Sequence, residues 1–444
     1  MHQSKKVIVI GGGIAGSEAS WQIAQQGIDV ELYEMRPNRP TAAHKTDQFS
    51  ELVCSNSFGS DNPGSASRIL KDEIQSMGSL TLELARQNAV PAGASLAVDR
   101  NLFAKCMTER LMAHPRIKIR REEICEIPIE GIVVIATGPL TSDALGASLG
   151  RLLGEKSLYF YDAISPIVST DSLDLSQMFF ANRYDKGESA DFLNIPLNKE
   201  QYDWFIQELM QGEVVLPHDF EEEKYFEGCM PIEVIASRGH KTLAYGPMKP
   251  VGLRDPKTGR EGYAVIQLRA ENRHRTAYNL VGFQTKLRYK EQERIFRKLP
   301  GLQEAEFLRL GSMHRNTYID SPKHLLPTLQ LRQNPNLFLA GQITGTEGYL
   351  ESSAGGLLAG MNAARLFKGL DLLTLPETTM LGALLVSITD PQRKNFQPSN
   401  VNMGLLPPDG VTVKKDKKAK YARYALRSQQ DLHSWMQNHH LGGL

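Results

Sequence analysis

The chain has 444 residues, 51 Lys plus Arg against 50 Asp plus Glu, and a formal net charge of +1. With 41% hydrophobic residues it can bury a sizeable core, which excludes a disordered or collagen-like chain, and its length allows two to three domains. The neutral balance excludes a globally basic nucleic-acid binder but not a local basic patch.

The first residues, MHQSKKVIVIGGG, lack the long apolar stretch and cleavage site of a secretory signal. No apolar run approaches the ~18–20 residues that span a bilayer. The four cysteines include no C-x-x-C pair, so a reduced, cytoplasmic protein is the expectation.

Lys6–Ile10 (KVIVI) reads as a buried parallel strand. Gly11, Gly12, Gly13, Ile14, Ala15 and Gly16 follow, and SEASWQIAQQG predicts a helix ending at Gly27. The next strand, Asp29–Tyr33, closes on Glu34, 18 residues past Gly16. In this pattern Gly11 permits a tight turn, Gly13 lets backbone approach a pyrophosphate, and Gly16 lets the helix pack on the strand. The helix N-terminus offers free N–H groups to the anion, and Glu34 suits a ribose hydroxyl. A glycine turn binding nothing is the competing reading, which this context disfavours.

Cys54 lies in ELVCSNSFGS, a polar small-residue setting that suits an accessible thiol. Cys106 reads as a helix-core residue and Cys125, in a strand-like alternation, as core too. Gly131–Pro139 (GIVVIATGP) predicts a strand and then a turn at Gly138 that passes close to a ligand. Residues 145–330 read as an inserted second domain. Within it, Gly228 and Pro231 flank Cys229, with Glu227, Glu233, Arg238 and His240 nearby to activate a thiolate. A packed cysteine at a strand end is as good a reading of that segment alone.

Asn336–Gly341 predicts another strand, followed by Gln342, Gly345 and Thr346 and a small-residue helix over Ser352–Phe367 that contains Gly355 and Gly356. A terminal strand and helix returning to a first nucleotide unit is typical of FAD-binding folds. The expected fold is therefore α/β, a Rossmann-like, glutathione-reductase-like FAD domain (1–144 and 331–444) with an inserted α+β domain (145–330). Residues 411–427 carry Lys414, Lys415, Lys417, Lys418, Lys420, Arg423 and Arg427 against one Asp, interleaved with Tyr421 and Tyr424. Locally this reads as a solvated helix face or as a phosphate and base contact. The eleven histidines show no ligand spacing, so no metal is expected. Serine hydrolysis has no G-x-S-x-G elbow to support it.

Together ELVCSNSFGS, FEGCMPIEVIASRG, AYGPMKPVGL, GFQTKL, MHRNTYIDSP and AGQITGTEGYLESSAGGLLAG resemble the bacterial folate- and FAD-dependent tRNA uracil-5-methyltransferases, over nearly the whole chain. The glycine loop and AGQITG are also similar to the larger glucose-inhibited-division-type relatives that modify the wobble uridine. Those carry a long helical C-terminal extension for which this chain leaves no room after Phe367.

The resemblance implies methylation of uridine 54 in the TΨC loop of tRNA. It implies 5,10-methylenetetrahydrofolate as carbon donor and NAD(P)H as reductant, both through FAD. It makes Cys229 similar to the thiol that adds to uracil C6 and Cys54 to a base or proton shuttle, with the reverse assignment open. Tyr349 matches a position near the flavin, and the basic run becomes a tRNA contact. Two other readings remain: flavin chemistry at the wobble uridine, and an FAD-containing RNA-binding protein without catalysis. Oligomeric state is not legible.

Overall fold

A computed structural model describes residues 6–41, 43–154, 158–185, 189–215, 225, 230–394, 396–410 and 416–441. The first sheet orders its six strands Gln330–Leu331, Asn334–Leu339, Ile132–Ile135, Val7–Ile10, Val30–Tyr33, Ile117–Arg120. All neighbours are parallel except the first two. Val7–Ile10 and Ile132–Ile135 are buried throughout, because both faces of a parallel sheet are covered. The helices Ile14–Gln25 and Tyr349–Lys368 pack on each other against this sheet. The expected return of a terminal strand and helix is thus realised, with the helix starting three residues before the predicted Ser352.

Small residues explain how closely the two helices approach. A Cβ on Gly356 would lie 2.2 Å from Ala15 O, and one on Gly360 would lie 2.6 Å from Ala19 O.

A second core begins at Val168 and ends at Ala305. It lies on an antiparallel sheet ordered Phe179–Phe180, Leu193–Leu197, Ala264–Ala270, Ala277–Leu280, Ile167–Ser169, Phe307–Arg309. Phe205 stacks on Phe283 at 5.7 Å beneath the helix Lys199–Gln211, which opens with an Asn198–Gln201 capping box. The ribbon Leu158–Ala163 with Met313–Tyr318 joins the two cores. The helix Asp143–Leu153 and residues 318–329 contribute Leu145, Leu149, Tyr318 and Leu329 to the first core. Cys106 is half-buried on the helix Arg100–Ala113. Cys125, expected in the core, is exposed: its segment has no ladder partners, and Ile124 and Ile127 take the inward positions.

Buried Glu73 joins three helices. It accepts from Met380 N at 2.5 Å and Leu381 N at 2.9 Å, capping Met380–Thr389, and from Ser428 Oγ at 2.6 Å on the helix Lys417–Asn438. Burial, reinforced by Asp72, pushes its carboxyl up to about 7 despite these donors. For an acid raised in the fold, stability falls as pH rises from the unfolded value near 4.5 to about 7. Glu73→Gln, which cannot titrate, is therefore expected to gain on the wild type by roughly 3 kcal/mol between pH 4.5 and 8, read from paired denaturant melts. A pH-independent difference would refute the assignment.

Candidate active site

The strand Val7–Ile10 delivers the chain to the carboxyl edge of the sheet, where open α/β folds bind ligands. There Gly11 adopts φ +102, and a Cβ on it would lie 2.6 Å from Ala136 O. A Cβ on Gly16 would lie 1.8 Å from Gly11 O, so the helix sits directly on the turn. Gly13 faces open space and N-caps Ile14–Gln25 without a side-chain cap, leaving first-turn N–H groups for an anion.

A cavity of about 990 Å³ runs from Glu34 past the loop at Gly11–Ala15 and Gly138 to Gln342, Tyr349 and Ser352. The open Gly13, the bare helix end and the acid at Glu34 fit a dinucleotide such as FAD. Glu34 is buried; its Oε2 accepts from Gly12 N at 2.9 Å and its Oε1 from Arg36 Nε at 2.9 Å. Burial opposes the charge, but the Arg36 hydrogen bond and positive field hold the carboxyl below its ordinary value. Arg36 also reaches Glu51 Oε2 at 3.2 Å. His44 lines the same cavity; burial and the Arg36 charge depress its imidazole to about 4, so it is neutral at physiological pH. Glu34→Ala is expected to lower FAD occupancy roughly tenfold, because a buried Arg36 loses a charge partner beside the cofactor; the ratio of flavin to protein absorbance measures it.

A second cavity of about 670 Å³ shares Val53, Pro139, Leu140, Gln342 and Tyr349 with the first and adds Cys54, Ser55, Ser57, Asn316 and Glu347. The two form one crevice. Cys54 sits in a loop before the strand Ser57–Ser60, half-buried, and its N–H donates to Tyr349 Oη at 2.8 Å. Burial and then the neighbouring Cys54 hold the Tyr349 phenol protonated, well above its ordinary value.

The Cys54 loop is stapled to both domains. Arg100 donates to Glu271 Oε2 at 2.8 Å, to Cys54 O at 3.4 Å and to Leu52 O. Asn56 Nδ2 donates to Val98 O at 2.9 Å and Ala270 O at 3.0 Å, while its Oδ1 accepts from Arg269 Nε at 2.8 Å. Arg309 joins Arg100 and Arg269 in the electrostatic surroundings of Cys54 and Tyr349.

The other expected residues divide. Gly12, Ile14, Ala15, Gly138 and Gln342 line the first cavity. Gly341, Gly345, Thr346, Gly355 and Gly356 stand behind the walls, where Gly345 passes against the Phe396 ring. Cys229, Lys414 and Lys415, and the side chain of Lys417, lie outside the described residues. Lys418 and Lys420 are exposed. Arg423 is bound to Asp409 Oδ2 at 2.7 Å and Arg427 to Pro407 O at 2.6 Å, so these two pin the helix to the preceding loop. Sequence reasoning missed Arg36, His44, Glu51, Arg100, Asn316 and Glu347. Asn316 and Glu347 sit inside quoted motifs, but nothing local marks them as cavity-facing. Among the described residues no helix is long and apolar enough to cross a membrane.

Comparison with known proteins agrees with this architecture. Residues 6–371 match the model of the family "Glucose inhibited division protein A". The Aquifex aeolicus GidA crystal structure superposes with a TM-score of 0.71 at 16% identity, covering 98% of this chain and 75% of that one, which speaks to the fold. Proteins named methylenetetrahydrofolate–tRNA-(uracil-5-)-methyltransferase TrmFO are similar over nearly full length. The one from Heliobacterium modesticaldum is 54% identical over 95% of this chain and 96% of its own. That from Geobacter sulfurreducens is 53% identical over 97% and 98%. With this identity and coverage, and a crevice that joins a dinucleotide cavity to a cysteine loop, the chain belongs to the TrmFO family of flavin-dependent tRNA methyltransferases, within the wider glucose-inhibited-division fold.

Proposed function

We propose that the protein methylates C5 of uridine 54 in the TΨC loop of tRNA, forming 5-methyluridine, with 5,10-methylenetetrahydrofolate as carbon donor and NAD(P)H as electron donor. The observation that carries this reading is the shared wall at Val53, Pro139, Leu140, Gln342 and Tyr349, which brings the Cys54 cavity to the end of a dinucleotide crevice. The names of the full-length relatives supply the reaction. FAD, when bound along the glycine loop, supplies the carrier for electrons and the one-carbon unit.

The protein's own residues activate the pyrimidine. Uracil C5 is a poor nucleophile until a thiolate adds at C6, breaks the 5,6 double bond and moves that electron pair toward C5 and O4. Cys229 takes this role. Once C5 has bonded the incoming carbon, its proton must leave before the C6–S bond breaks and the double bond returns. Cys54 takes that proton, from a loop whose height over the crevice is set by Tyr349 Oη. A stacked base hides its C6 face, so the uridine flips out to reach the thiols.

Incubation with undermodified tRNA, methylenetetrahydrofolate and NAD(P)H, followed by nucleoside mass spectrometry, tests the reading. It stands if 5-methyluridine appears in the TΨC-loop fragment, and falls if product maps to the wobble position or the flavin is not bleached by NAD(P)H. The exposed Lys418 and Lys420 contact tRNA phosphates in this reading. Their double alanine variant is expected to weaken tRNA binding about fivefold and to reduce the log–log salt slope by between one and two, measured by filter binding across KCl concentrations.

A further inference from the structure

More positive charge borders the cysteine loop than the steps above use. Arg100, Arg269 and Arg309 all act electrostatically with Cys54 and Tyr349, and the carboxylate that all three feel is Glu271. Arg100 is committed to Glu271 and to the carbonyls of Leu52 and Cys54. The other two are not. Arg269, on the strand Ala264–Ala270, is 9% exposed, and among the described residues its one hydrogen bond runs from Nε to Asn56 Oδ1 at 2.8 Å. Arg309 ends the strand Phe307–Arg309, is half-buried, and reaches Ala43 O only at 3.5 Å.

A guanidinium carries five donors and no acceptor, and withdrawing one from water with most of them unmatched is costly. Two such groups beside one sulfur fit an anion brought by another molecule. The Arg269 fork is also held in place beforehand. Asn56 takes its Nε–H while its own Nδ2 is bound to Val98 O and Ala270 O, so the terminal N–H groups keep one orientation. A fixed pair of parallel N–H groups matches the oxygens of a phosphate.

The molecules that meet here in the reaction proposed above carry their charge in different places. The FAD pyrophosphate belongs to the glycine loop, at the other end of the crevice. Folate and NAD(P)H hold their anionic groups on the side away from the reacting atom. A pyrimidine nucleotide does the reverse. Both thiol steps act on the C5–C6 edge of uracil, and in an anti nucleotide that edge faces the nucleotide's own 5′ phosphate. Cations in the field of Cys54 therefore stand where this phosphodiester passes.

We propose that Arg269 and Arg309 bind the phosphodiester on the 5′ side of the target uridine, Arg269 through its two terminal N–H groups, and so present the base to the thiols in one register. This rests on the tRNA methylation reading.

The test uses the FAD-loaded enzyme and undermodified tRNA ligated to carry one uncharged methylphosphonate, either 5′ or 3′ of uridine 54. Filter binding and single-turnover formation of 5-methyluridine are the readouts. The wild type is expected to bind the 5′-substituted tRNA about 30-fold more weakly than natural tRNA, the scale of one charge-assisted contact, and the 3′-substituted tRNA within about twofold. Arg269→Gln is expected to lose about 30-fold on natural tRNA, to keep its FAD, and to bind natural and 5′-substituted tRNA alike. Arg309→Gln, which leaves the Asn56 contacts intact, is expected to narrow the same discrimination. Equal binding of the three tRNAs by the wild type overturns the inference without any variant. So does an Arg269→Gln enzyme that still discriminates in full. A variant that binds tRNA normally and is slowed only at saturation overturns it as well, since that marks a contact to the uracil ring. Weakened binding of tetrahydrofolate or NAD(P)H with unchanged tRNA affinity does the same. These results leave the methylation reading standing, whereas a wild-type enzyme that forms no 5-methyluridine on natural tRNA removes both.

Discussion

Cys54→Ala is expected to reduce 5-methyluridine formation by about 10³-fold in single-turnover assays while FAD content stays at the wild-type level. A positioned proton acceptor contributes roughly 10²–10⁴-fold, and Cys54 is the thiol that lines the crevice among the described residues. The substitution isolates chemistry from architecture because the loop is held by main-chain atoms. Cys54 N–H reaches Tyr349, Leu52 O and Cys54 O receive Arg100, and Asn56 ties the far side. None of these contacts uses Sγ. Cys54→Ser keeps the size of the side chain but supplies no base at neutral pH, so it is expected to resemble alanine. Wild-type turnover by either variant would remove Cys54 from the mechanism. Parallel loss in Cys229→Ala, with FAD retained, would support the two-thiol scheme.

The largest structural effect is expected from Gly356→Val. The first added carbon would sit 2.2 Å from Ala15 O, inside a backbone that cannot yield like the tip of a flexible side chain. The helices must separate, and Ala15 lies in the first turn of the helix whose N-terminus lines the first cavity. A loss of roughly 3 kcal/mol or more, together with release of FAD, is expected from overpacking at such a contact. Gly146→Ala is the control. It lies in the helix Asp143–Leu153 with nothing within 4 Å of its would-be Cβ, and should gain a few tenths to about 1 kcal/mol from helix propensity. Thermal melts and flavin fluorescence read both. A Gly356→Val protein that melts with the wild type and stays yellow would contradict the packing account.

The parts of this molecule that were legible beforehand are those written in short stretches. A strand, a glycine turn, a helix and an acid lie within Val7–Glu34, and each has its own local signature. The returning strand and helix were readable because small residues at Gly355, Gly356 and Gly360 leave a visible pattern. The staple was not readable, since Arg100 and Glu271 are 171 residues apart and neither segment announces its partner. The same holds for Arg36 with Glu51, and for Asn316 and Glu347, which converge only through the fold. The order of strands in the second sheet, with Ile167–Ser169 inserted between Ala277–Leu280 and Phe307–Arg309, is likewise a product of tertiary pairing. Cys125 shows the converse failure. Alternation suggested a strand, but without a ladder the period fixes which side chains point inward and nothing more.

The stapled loop has a mechanical consequence. Two of its anchors, Ala270 at the end of the strand Ala264–Ala270 and Glu271 just after it, belong to the other half of the molecule, so the position of the Cys54 loop depends on how the two halves meet. Substitutions at Arg100, Asn56 or Glu271 should therefore alter rates even though none of them carries the thiol.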